Sequence, residues 1–180
     1  MAMAAGSQVE DMMKPTAKSI VEETIMPHLL NMYGACATAR DFEIYAPNAK
    51  YDDPLMRAHG VKQIKSAFYT LPKVFGESRI VEYTITQEKQ IGPGRTEVLI
   101  DNKQFYKILG KPVDLASLIT LEIQEDGKVV RHEDWWNKKP LKNRDTVGFP
   151  LLGRLAFAAR RAAMLLTHAI MGCGKDPVSK

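Results

Sequence analysis

The run VVRHEDWW at 129–136 puts a histidine, two carboxylates and two tryptophans on eight consecutive residues. It follows the turn signal EDGK and opens on β-branched residues, so it reads as a strand. Strand side chains alternate between two faces. His132, Asp134 and Trp136 therefore share one face, and Arg131, Glu133 and Trp135 share the other. His132 and Asp134 lie about 6–7 Å apart along the strand. A histidine among carboxylates can shuttle a proton near neutral pH. The same groups, buried and fully hydrogen-bonded, would instead pin the strand to its neighbours. A third acid, Asp53, sits in the sequence DDP. In an apolar pocket its pKa would rise, which suits proton abstraction. At a strand end it would serve only to accept backbone N–H groups. Asp53, His132 and Asp134 could form a facial metal triad, but the favoured expectation is no metal and no other cofactor.

The elements that must position these residues follow from pattern. The stretch TAKSIVEETIMPHLLNMYGACATA (16–39) predicts a helix capped by Thr16 or Ser19, with Ile25, Leu29 and Met32 on one face and a kink at Pro27. RDFEIYA (40–46) predicts a short second helix and AKYDDPL (49–55) a short strand ended by Pro54. GVKQIKSAFYTLPKVF (60–75) predicts a third helix with Val61, Ile64, Phe68 and Leu71 as its buried stripe. Strands are then expected within 78–91, 96–109, 113–124 and 128–137, joined by the hairpin signals GPG, GKP and EDGK. Helices followed by an antiparallel meander define an α+β fold. A sheet curled around the helices leaves a conical pocket between them.

The chain has 180 residues and a hydrophobic content of 45%, enough for one domain with a real core. Cys36 and Cys173 are too few and too far apart for a disulfide framework or zinc site, which favours a reducing compartment. Cys36 is expected in the core. Residues 1–14 read as a mobile tail, unlike a signal or transit peptide. No run of about 18 uncharged apolar residues occurs, so no membrane span is expected. The net charge of +4 is uneven: residues 138–180 carry nine Lys or Arg and two Asp, whereas residues 1–137 carry sixteen basic and nineteen acidic groups. The acidic body is not expected to bind nucleic acid.

This element order and the stretches YAPNAKYDDP, GVKQIKSAFY and DGKVVRHEDWW resemble the nuclear-transport-factor-2-like superfamily, which includes ketosteroid isomerase and the SnoaL-like cyclases. The resemblance covers residues 16–138 and implies a cone-shaped curved sheet wrapped around N-terminal helices. It sets Asp53 at the place of the isomerase's general base and Tyr33 at that of its oxyanion-hole tyrosine. The isomerase's second oxyanion donor, a protonated aspartate on the third meander strand, falls on Ile119. An isoleucine donates no hydrogen bond, and losing one such donor costs about 3 kcal/mol of transition-state stabilisation. The resemblance also turns His132, Asp134 and Trp136 towards the cavity, with Asn102, Gln104, Tyr106, Ser117, Ile119, Leu121 and Ile123. Tyr106 and Trp136 would give flat walls to a ring-bearing ligand, with Asn102, Gln104, Ile119 and Leu121 completing the binding surface.

Beyond this domain, set at 15–138, residues 139–180 read as a linker and an added amphipathic helix of about 21 residues. Leu152, Leu155, Ala159, Ala162, Ala163, Leu166 and Ile170 fall in one arc. Arg154, Arg161 and His168 line another, with Arg160 at its rim. Such a helix can lie on an anionic membrane through Arg154, Arg160 and Arg161, or pack as a lid or dimer contact.

Because one fold hosts many functions, three readings stand. The first is an isomerase or cyclase acting on a hydrophobic, terpenoid- or steroid-like molecule, with Asp53 as base, Tyr33 as donor, and His132 with Asp134 as shuttle. The second is a non-catalytic binding protein that assists a membrane-bound enzyme such as a haem monooxygenase. The third is a transport adaptor for protein partners. A homodimer and a cytoplasmic location, peripheral on the endoplasmic reticulum, accompany these readings.

Overall fold

The computed structural model describes residues 16–141 and 150–177; the tail expected at 1–14 and residues 142–149 of the linker lie outside them. Helix α1 runs in three consecutive segments, Ala17–Ile20, a π-helical turn Val21–Ile25, and Met26–Tyr33. Thr16 caps it, its hydroxyl accepting the Ser19 N–H at 3.1 Å. Pro27 has no N–H to donate, and the wider π turn stands immediately before it, where the ladder loses that bond. Ile25, Leu29 and Met32 are fully buried.

The expected second helix is a six-residue 3₁₀ helix, Ala39–Ile44. Asp41 closes it by accepting the Thr38 N–H at 2.7 Å and the Thr38 hydroxyl at 2.9 Å. Tyr45 already pairs with Val129, so strand β1 (Tyr45–Asp52) begins earlier than its sequence suggested. Pro47 cannot donate to a ladder, and the β1 pairing slips in register between Tyr45 and Lys50. A short β2 (Arg57–His59) and helix α2 (Val61–Val74) follow. The meander is β3 (Glu77–Gly92), β4 (Arg95–Ile108), β5 (Lys111–Gln124) and β6 (Val129–Trp136). The sheet order is β2-β1-β6-β5-β4-β3. Its pairs are antiparallel except β1 with β6. Three register shifts along the β3–β4 pair bend the sheet, which curls over α1 and α2. Their apolar faces and the inner faces of β4, β5 and β6 make one core.

Helix α3 (Pro150–Ile170) packs against α2 and β2, with Met164 joining the core. His168 Nδ1 lies 2.8 Å from the Ser66 hydroxyl. Beyond α3, Asp176 accepts from Lys65 Nζ at 2.6 Å and from the Tyr69 hydroxyl at 2.8 Å. Gly174, at φ +74°, backs onto the Lys62 carbonyl so closely that a Cβ would collide with its oxygen.

Two placements differ from the sequence reading. Cys36 is exposed rather than in the core, because it follows the end of α1 in a loop. The basic side of α3 faces the body: Arg160 is only 6% exposed, and Arg161 donates to the Arg57 carbonyl at 3.1 Å. Arg154 alone of the three arginines is exposed. The buried Asp52 carboxylate, with Arg160 Nη1 at 3.5 Å and Arg57 Nη1 at 3.3 Å, supplies the electrostatic reason. Among the described residues no helix is long and apolar enough to cross a membrane.

Candidate active site

A largely apolar cavity of about 200 Å³ lies between the end of α1, helix α2 and the sheet. Tyr33, Tyr51, Asp53, Tyr106, Asp134 and Trp136 bring polar atoms to its wall, and Phe68, Leu71, Val74 and Leu115 supply much of the rest.

Asp53 sits just past the end of β1, before Pro54. Its Oδ1 accepts the N–H groups of Leu55 at 2.7 Å and Met56 at 2.6 Å. Its Oδ2 accepts the Tyr51 hydroxyl at 2.9 Å. The two sequence readings of Asp53 therefore coexist in geometry: it closes a turn and it lines the cavity. Burial pushes its pKa up to about 6, against the pull of the three donors, and the Asp134 carboxylate raises it further.

Asp134, inward-facing on β6, receives four side-chain donors. Tyr33 donates at 3.0 Å, Gln104 at 3.1 Å to the same oxygen and Trp136 Nε1 at 3.3 Å. Ser117 bonds the other oxygen. Behind Gln104, Tyr106 donates to its side-chain carbonyl at 2.7 Å. Burial pushes the Asp134 pKa up, the four donors work against it, and the net direction is upward. Burial and the nearby Asp134 charge hold the Tyr33 phenol well above its ordinary value, so it remains a hydroxyl.

His132 lies behind this wall, wholly buried, and is not among the cavity-lining residues. Its Nδ1 is 2.7 Å from the Tyr45 hydroxyl and its Nε2 is 3.3 Å from the Tyr33 hydroxyl. Burial pushes its pKa down to about 3, so the ring is neutral. Tyr33 spends its proton on Asp134. Assigning the tautomer from this network, Nε2–H donates to the Tyr33 oxygen and Nδ1 accepts from Tyr45. His132 thus orients Tyr33 and touches no ligand space.

Of the residues expected to bind ligand, Tyr106 and Trp136 line the cavity, whereas Asn102, Gln104, Ile119 and Leu121 are buried outside its lining. Asn102 donates to the carbonyls of Ile100 and Ser117 at 3.2 and 3.3 Å, a bond set internal to the sheet. Ile119 faces Asp134 directly across the β5–β6 ladder. The carboxyl absent at 119 is therefore present on the adjoining strand. Tyr45 and Tyr51 were not singled out from the sequence. Tyr51 stands two residues before Asp53, and strand alternation could have found it. Tyr45 stands six residues before Tyr51, on the same parity and likewise against His132, but the sequence reading set it in the second helix rather than in β1.

The arrangement can accept a proton at Asp53 and offer a hydroxyl to a developing oxyanion at Tyr33.

No family model and no curated protein matches the sequence. Solved structures match by fold. A hexachlorocyclohexane dehydrochlorinase LinA-type3 from Novosphingobium barchaimii superposes with a TM-score of 0.59 at 13% identity, over 69% of this chain and 90% of that one. A putative scytalone dehydratase from Novosphingobium aromaticivorans gives 0.54 at 11% identity, over 73% and 87%. An NTF2-like protein from Anabaena variabilis gives 0.54 at 11% identity, over 66% and 88%. With its curved sheet wrapped around N-terminal helices, the chain has the fold of the nuclear-transport-factor-2-like proteins.

Proposed function

We propose that the protein holds a small, mostly apolar ring compound in its cavity and moves a proton on it, as an isomerase or an elimination catalyst. The observation that carries this reading is Asp53, a carboxylate with a pKa raised to about 6 on the wall of an apolar cavity. Such a group is ionised near neutral pH and basic enough to take a proton from carbon. In the reaction, Asp53 removes a proton next to a carbonyl, and the C–H electron pair moves onto the carbonyl oxygen. Tyr33 donates a hydrogen bond to that oxyanion. For this the Tyr33 hydroxyl turns from Asp134 to the substrate oxygen, and Asp134 keeps the donors Gln104, Ser117 and Trp136. The proton then returns at another carbon, giving an isomer, or the enolate expels a leaving group. Two neighbours in fold are named a dehydrochlorinase and a dehydratase, which supports the elimination form.

The volume narrows the ligand. A cavity of about 150 Å³ accommodates a benzene ring, and drug-sized ligands need about 300 Å³ or more. About 200 Å³ suits one or two rings rather than a four-ring steroid.

A second reading, binding without chemistry, is favoured by one feature: every carboxylate oxygen of Asp53 and Asp134 already has a protein partner. One experiment separates the two. One- and two-ring enones and β-hydroxy ketones are incubated with the protein and followed by mass spectrometry and thermal shift. Turnover lost in Asp53→Asn supports catalysis. Turnover kept in Asp53→Asn contradicts the Asp53 mechanism, and stabilisation without turnover leaves the binding reading.

A further inference from the structure

Helix α3 presents its apolar side to solvent. Between Leu155 and Ile170 the charged residues are Arg160 and Arg161, and both turn inward. Arg160 Nη1 reaches the Asp53 carbonyl at 3.2 Å, and Arg161 reaches the Arg57 carbonyl at 3.1 Å. The outward side is left without charge. Leu155 is 58% exposed, Leu165 49%, Leu166 65% and Ile170 69%, with small alanines at 158, 159, 162 and 169 between them. The strip is about 24 Å long. Single exposed leucines need no explanation, but an uncharged contiguous strip of this length marks an interaction surface.

Charge selects the occupant. The sequence holds no acidic residue between Asp145 and Asp176. Arg154 at the start of the strip, and Lys139 and Lys175 outside the helix, are exposed. A second copy would bring two positive segments together, whereas an anionic bilayer complements them. We infer that the outward face of α3 docks in the plane of an anionic lipid surface, with Leu155, Leu165, Leu166 and Ile170 entering the acyl boundary and Arg154 meeting headgroups. A helix lying flat with one apolar side buried about 5–10 Å has this form. The sequence reading placed Arg160 and Arg161 against the lipid. The fold instead uses them to clamp the helix to the body, leaving the leucine side for the membrane.

The test is vesicle co-flotation of the full chain, with phosphatidylcholine alone and with phosphatidylcholine mixed with phosphatidylserine. The expected result is flotation with the mixed vesicles and much less with the neutral ones. The variant Leu165→Glu/Leu166→Glu/Ile170→Glu should lose about tenfold or more of the bound fraction while melting at the same temperature or higher. Arg154→Gln should weaken binding to the mixed vesicles about fivefold. Failure of the full chain to float with anionic vesicles would overturn the proposal, as would equal flotation of the triple variant. Sedimentation of the lipid-free chain covers the remaining occupant: a dimer dissolved by the same three substitutions would assign the face to a second copy and overturn it too.

Discussion

Asp134 on β6 and Ile119 on β5 are direct cross-strand partners. The inner surface at this point therefore carries one carboxyl and one apolar side chain, and the carboxyl is the one that receives Tyr33, Gln104, Ser117 and Trp136. Asp134→Leu removes the acceptor of the buried Tyr33 and Gln104 donors and of the half-buried Trp136, while Ser117 keeps the Trp135 carbonyl. Each such loss costs about 1–3 kcal/mol, with some relaxation. Asp134→Leu should destabilise the fold by about 3 kcal/mol or more, and Asp134→Asn, which keeps one acceptor oxygen, by less. Urea denaturation of the three proteins checks this order.

His132 should stay neutral across the working range. Its folded pKa is lowered to about 3 by burial, from an ordinary 6.5. The unfolded chain binds a proton that the folded ring refuses. The stability contributed by the neutral ring is therefore complete above about pH 6.5 and declines as the pH falls towards about 3. The imidazole C–H resonances of His132 should not shift between pH 5 and pH 8, a window in which an ordinary histidine titrates.

Ligand size gives a third prediction. One- and two-ring ketones or phenols should raise the melting temperature in proportion to their occupancy, and four-ring steroids should not. Ala67 lines the cavity and is buried, so Ala67→Phe should abolish the thermal shift by filling the space.

Arg160 ties the added helix to the base of the site. It is nearly buried against the Asp52 carboxylate and donates to the Asp53 carbonyl. Removing one partner of a buried pair costs about 3–5 kcal/mol. Arg160→Met should lower stability by that order, and the double variant Arg160→Met/Asp52→Asn should recover part of it in the same denaturation assay.

The fold was largely legible because its signals are local. Glycine-containing hairpins at 92–94, 109–110 and 125–128 and the apolar stripe of α2 prescribe a meander against helices. Alternation along β6 separates buried His132 and Asp134 from exposed Arg131. The site was legible in composition, since Asp53, Tyr33 and Asp134 do meet at one cavity. Three features were hidden because they depend on tertiary contact. The place of His132 behind Tyr33 depends on Tyr45, which belongs to β1 and not to the helix expected over 40–46. Asp134 opposite Ile119 depends on inter-strand register. The inversion of α3 depends on the buried Asp52, since amphipathicity defines two sides of a helix without saying which one meets the body.

The central claim is that Asp53 is a proton acceptor poised near neutrality, and its carboxyl can be titrated directly. Its pKa of about 6 in the fold lies above the ordinary 3.9 of the unfolded chain. The folded state therefore holds this proton more tightly. The stability it contributes is fully present below about pH 4 and is lost as the pH rises through about 6, a change of about 3 kcal/mol. Asp53→Asn should lack that loss. Side-chain carboxyl NMR on carbon-13-labelled protein should show a midpoint near pH 6 that vanishes in Asp53→Asn. A midpoint at or below the ordinary aspartate value would contradict the account.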